Sequence, residues 1–141
     1  DYSLCLDPNI RENVTKLGNA IVLFEKGDYS GILSSLADQS FSDFHCEIRS
    51  RSLLLRSKWE LRDRIHDRDT DHILSYCLAF EQYLINRAKK SQSKIVTASL
   101  NFVRIFKKII IGRKDKAEII TEIQALELLY FREWLLKQAE L

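Results

Sequence analysis

The sequence predicts an all-α fold of about six antiparallel helices in one domain spanning residues 1–141, and three observations point there. One Pro and four Gly in 141 residues are too few for a sandwich or barrel that must turn every ten residues or so. Ile10, Val14, Leu17, Ile21 and Phe24 fall at alternating gaps of four and three, the period of a helix face. That run stops at Gly27-Asp28-Tyr29 and restarts at Ile32, Leu33 and Leu36, so a tight turn delivers a second helix to cover the stripe of the first.

The first helix begins at Pro8, whose missing N–H suits a first turn, with Asp7 as its cap, and runs to about Lys26. Gly27 ends it, and the second helix carries Tyr29, Ile32, Leu33 and Leu36 to about Gln39. Ser42 or Asp43 caps the third, whose stripe is Phe44, Ile48, Ser52, Leu55 and Trp59 and which ends near Asp63. Arg64 to Thr70 is polar and reads as a loop. The fourth helix places Ile73, Cys77, Phe80 and Leu84 on one side, flanked by Leu74, Leu78 and Ile85, and closes on Lys89 and Lys90, cations that favour a helix C-terminus.

Ser91 or Ser93 opens the fifth helix, whose apolar residues from Ile95 to Ile110 cover over half its circumference, so it is expected to be the most buried. Gly112 ends it. The sixth starts at Lys114 to Lys116 and carries Ile119, Ile123, Leu126, Tyr130 and Trp134, with Leu128, Phe131 and Leu135 on a second side. Either that helix closes the domain against two neighbours, or Tyr130, Phe131, Trp134 and Leu135 form a contact surface for a protein or peptide, or for a second copy in a homodimer through the C-terminal helix.

Phe24-Glu25-Lys26-Gly27-Asp28-Tyr29, followed by Ile32 and Leu36, resembles the helix-turn-helix of tetratricopeptide repeats. The stretch from Phe41-Ser42-Asp43 through Ser52-Leu53-Leu54-Leu55 to Glu133-Trp134-Leu135-Leu136 looks like the C-terminal region of uncharacterised bacterial helical-repeat proteins of that type. The resemblance implies a right-handed, α-solenoid-like array and a scaffold role, and it carries over no functional residue. The chain begins at Asp1, and Tyr2, Leu4 and Leu6 ahead of Pro8 suggest further repeats upstream in a longer protein, with this domain as their cap.

A net charge of +2 is too small to imply a nucleic-acid or membrane role by itself, and no apolar run is long enough to span a bilayer. Cys5, Cys46 and Cys77 are odd in number, widely spaced and lack zinc-ligand spacing, which favours free thiols in a reducing, cytoplasmic setting. Asp67, Asp69 and Asp71 match the start of a calcium loop, but the sixth and twelfth places hold His72 and Leu78 where Gly and Glu are needed, so Asp69 or Thr70 reads instead as a helix cap. His45 and Cys46 are adjacent on a helix and point about 100° apart, which disfavours a nucleophile and base pair. His66 and His72 read as solvated, and Glu118 and Glu122 as an ion-pair face with Lys114.

No catalytic, cofactor or metal constellation emerges, and the reading is a non-enzymatic protein-binding or scaffold domain. The main alternative is a nucleic-acid-binding domain using Arg51, Lys58, Arg62, Arg104, Lys107, Lys108, Arg113 and Lys114, although Glu47, Glu60, Asp115 and Glu118 are interleaved with these cations. A structural self-association module is the other. An enzyme would require a pocket in which polar side chains converge.

Overall fold

The structure is a computed structural model that describes residues 8–62, 67–90, 93–112 and 115–140. Within them the chain is helical, with no strand: α1 (Pro8–Glu25), α2 (Tyr29–Leu36), α3 (Phe44–Leu61), α4 (Asp67–Lys90), α5 (Lys94–Ile111), α6 (Lys116–Ala125) and α7 (Arg132–Ala139). Two compact units divide after Asp69, in the first turn of α4.

In the first unit α1, α2 and α3 pack against one another. Gly27, at φ +79°, ends α1 in a left-handed cap: its N–H donates to Phe24 O at 3.1 Å and the Asp28 N–H to Leu23 O at 2.9 Å, which together satisfy two orphan carbonyls. Asp28 at once starts α2, its Oδ1 accepting from the Gly31 N–H at 3.0 Å. A Cβ on Gly31 would come within 2.7 Å of that carboxylate, so glycine keeps the cap possible. Phe24 and Tyr29 meet edge to face across the turn at 5.2 Å, and Ile32 and Leu36 are fully buried. Asp43 occupies the N-cap of α3 without a side-chain cap bond; Glu47 instead reaches back, accepting from the Phe41 N–H at 3.0 Å and from Arg51 Nε at 3.1 Å.

Two packing expectations are corrected in this unit. The α1 stripe does not face inward as a whole. Leu17 and Ala20 are buried and Phe24 is half-buried, whereas Val14 and Ile21 are each 38 % exposed and Val22 is 46 % exposed. Nor is α5 the most enclosed helix. Every residue of α3 from Ser52 to Ser57 is buried, more than one full turn, and Arg56 lies with its guanidinium 4.4 Å over the Phe24 ring. Ser52 donates back to Ile48 O at 2.8 Å, and small residues at 50, 52 and 57 let neighbours approach α3 closely.

In the second unit α4 buries Ile73, Cys77, Phe80 and Leu84 as its spacing predicts. It begins at Asp67, so Asp69 and Thr70 lie inside the helix and do not cap it. Ser93 caps α5 by accepting from the Ile95 N–H at 3.2 Å, and Gly112, at φ +67°, ends it. Asp115 opens α6 by accepting from the Ala117 N–H at 3.2 Å.

The expected sixth helix is two helices. It stops at Leu126 and resumes at Arg132, although no Gly or Pro lies between. Arg132 donates from Nη1 to Ile123 O and from Nη2 to Leu126 O, closing the carbonyl end of α6. Asn101 of α5 donates to Leu128 O at 2.9 Å, and the Tyr130 N–H to Ala98 O at 3.5 Å. Phe131 takes the left-handed conformation, φ 58° and ψ 38°, which turns the chain back onto α5.

Candidate functional site

The C-terminal residues expected to meet a partner mostly serve the second unit itself. Leu135 is fully buried and cannot be a contact residue, because α7 packs on α5 and α6. Phe131 sits edge-on to Phe102 with ring centroids 5.0 Å apart, and Trp134 meets Phe106 at 5.2 Å and Phe102 at 6.2 Å. Such aromatic pairs each contribute about 0.5–1.5 kcal/mol beyond buried area. Tyr130 alone of the four remains substantially open, at 39 %.

Three of the eight candidate cations come together. Arg104, Lys107 and Lys108 line a cleft of about 400 Å³ with Glu81, Asn101, Ile105, Glu122 and Leu126. Lys107 Nζ donates to both oxygens of Glu81, at 2.9 and 3.1 Å, Arg104 Nε lies 3.5 Å from the same carboxylate, and Lys108 pairs with Glu122. Polar side chains therefore do converge, as an enzyme would need. They converge on one another, however, and phosphate would have to displace a carboxylate from each cation it engaged. The ion pair of Glu122 crosses from α6 to Lys108 of α5, and Lys114, expected one turn before Glu118, lies outside the described residues.

Of the other cations, Arg51, Lys58 and Arg62 belong to the first unit. Arg51 is held by Glu47, and Arg62 lies 3.5 Å over the Trp59 ring while donating from Nη1 to Trp59 O at 2.6 Å. Lys58 is half-buried in the last turn of α3. Arg113 and Lys114 lie outside the described residues, as do Asp7, His66 and Ser91.

The two described thiols, Cys46 and Cys77, are poor nucleophiles. Burial and the adjacent Asp43 carboxylate push Cys46 up to about 11, and burial pushes Cys77 up to about 12. At neutral pH the thiolate, the reactive form, is scarce at both. His45 stacks tilted against Phe44 with centroids 4.0 Å apart. Among the described residues no three His, Cys, Asp or Glu side chains gather in a way that could hold a metal ion, and no helix is long and apolar enough to cross a membrane.

What the sequence reading missed is the outer face of α1. Val14, Ile21 and Val22 lie within about 60° of Gly18 around the helix and are exposed, whereas the buried Leu17 and Ala20 lie about 100° and 160° from it. Within the predicted stripe Leu17 is buried whereas Val14 and Ile21 are exposed, and Val22 lies outside that stripe. The signal was present in sequence, because α1 has more apolar residues than one buried face can use.

No family model matches the chain, and neither the curated proteins nor the solved structures contain a match.

Proposed function

We propose that this chain is a non-enzymatic helical interaction domain that takes a protein partner on an exposed apolar helix face. The observation that carries the reading is the outer face of α1, where Val14, Ile21 and Val22 stand 38–46 % exposed although the inward face of the same helix is already supplied by Leu17 and Ala20. Apolar side chains in water on one contiguous face gain free energy by being covered, at about 25 cal/mol per Å². The tetratricopeptide-type resemblance of the Phe24 to Leu36 segment supports the same role, and the buried free thiols Cys46 and Cys77 suit a reducing, cytoplasmic setting.

The test is affinity capture from the native cell with the wild-type chain and with a Val14→Glu/Ile21→Glu variant. Both substitutions are exposed, so the circular dichroism melt should change little, while specific partners are lost. Partner recovery indifferent to the two glutamates overturns the reading.

A further inference from the structure

We propose that the partner of the α1 face is a second copy of this chain, docked so that two α1 helices run antiparallel and cross at Gly18 about a twofold axis; this rests on the interaction reading above and names its occupant.

Three independent features of α1 converge on that arrangement. The first is its spacing. At 100° per residue, Arg11, Val14, Gly18, Ile21, Val22 and Glu25 all fall within about 60° of the direction of Gly18. In an antiparallel pair centred on Gly18, positions equidistant from it in sequence meet across the axis. Val14 then meets Val22 of the other copy, four residues either side, and Arg11 meets Glu25, seven residues either side. A twofold interface repeats each contact, so one sequence supplies two apolar and two oppositely charged pairs.

The second feature is Gly18 itself. Glycine weakens a helix interior, and nothing among the described residues calls for it here. Among the described residues no heavy atom lies within 4 Å of where its Cβ would be, and its φ is not positive. A bare position at the crossing point is what lets two helix backbones approach closely.

The third is charge placement. Arg11 lies in the first turn of α1 and Glu25 is its last residue, each at the end of the helix dipole that disfavours it. The nearby Glu12 and Lys16 pair with each other at 3.5 Å, whereas among the described residues neither Arg11 nor Glu25 has an ion-pair partner. In the antiparallel pair each of these charges faces its opposite and the two helix dipoles oppose. Charges that are unfavourable in a lone α1 become complementary in two.

Sedimentation equilibrium over about 10 μM to 1 mM tests this, a range that brackets weak to moderate dimer affinities. The expected result is a reversible dimer that Arg11→Glu alone and Glu25→Arg alone each weaken about tenfold or more, since either converts both charge pairs to like-charge contacts. The double variant R11E/E25R should return to within about threefold of wild type, because the pairs are restored with their signs exchanged. Gly18→Gln should raise the thermal midpoint of the dilute protein and weaken the dimer, two opposite effects that a purely structural role for Gly18 would not produce. A monomer throughout, single charge reversals without effect, or a double variant that does not recover overturns the second-copy assignment. Retention of another protein that the Val14→Glu/Ile21→Glu variant loses would then leave the interaction reading standing, so the two can fail separately.

Discussion

The side-chain amide of Asn101, in the middle of α5, donates a 2.9 Å hydrogen bond to the carbonyl oxygen of Leu128, in the break between α6 and α7. It connects residues 27 apart in sequence and occupies a carbonyl that an unbroken helix would have satisfied internally. Asn101→Leu is expected to destabilise the fold by about 1–2 kcal/mol, read from denaturant midpoints at unchanged m-value. Amide exchange should accelerate first at Leu128 to Phe131. Uniform loss of protection along α5 would contradict a local role for this bond.

Gly27 closes α1 at φ +79° with open space around its Cβ position, so the penalty of a side chain there is conformational and not steric. Gly27→Ala should cost about 1 kcal/mol, and Gly27→Asn less, because Asn tolerates the left-handed region. The measurement is the thermal midpoint of the pair. Equal costs for Ala and Asn would show that backbone handedness is not what this position selects.

Alkaline pH should weaken the fold through its buried thiols. Burial, aided at Cys46 by Asp43, raises Cys46 to about 11 and Cys77 to about 12 from an ordinary 9.0. Between pH 9 and the folded-state values the unfolded chain has released protons that the native chain still holds, so unfolding stability falls as pH rises. Tyr29, raised by burial and by Glu60, acts in the same direction above pH 10. Arg56, held down to about 10 by burial, opposes it from there upward, which leaves pH 9 to 10 as the clean window. Urea midpoints should drop across that window in wild type and drop less in Cys77→Ala.

The charged cleft gives a direct test of the nucleic-acid alternative. With Arg104 and Lys107 on Glu81 and Lys108 on Glu122, wild type should not retain a labelled oligonucleotide at 50 mM salt, a condition that favours phosphate contacts. The double variant Glu81→Gln/Glu122→Gln removes two negative charges and should raise whatever binding exists by about tenfold or more, with a steeper salt dependence. Tight wild-type binding would place function in the cleft and not on α1.

Much of the helix plan was legible because helix ends are local chemistry. Gly27, Asp28, Ser93 and Gly112 each act on backbone groups within a few residues, and each does in the structure what its residue type suggests. The Ile73, Cys77, Phe80 and Leu84 stripe was equally readable, since gaps of four, three and four place all four side chains on one side of a helix. The candidate site was less so. Arg104, Lys107 and Lys108 were identifiable as a basic cluster, but Glu81, which neutralises two of them, comes from another helix 23 or more residues away in sequence.

By itself, then, the sequence determined that the chain is helical, where most of its helices start and stop, and which side chains form the α4 face. Tertiary structure alone decided which side of α1 turns inward and that the last predicted helix breaks. On α1 the apolar residues exceed one face, so the choice between Val14/Ile21 and Leu17/Ala20 depends on where α2 and α3 lie. At the break, Leu126 to Tyr130 carries nothing that ends a helix, and local propensity favours continuation. Asn101, Arg132 and the Phe131 to Phe102 contact together outweigh about a turn of intrahelical hydrogen bonds, each worth about 1 kcal/mol net. Two of those partners lie on α5, beyond the reach of any local rule.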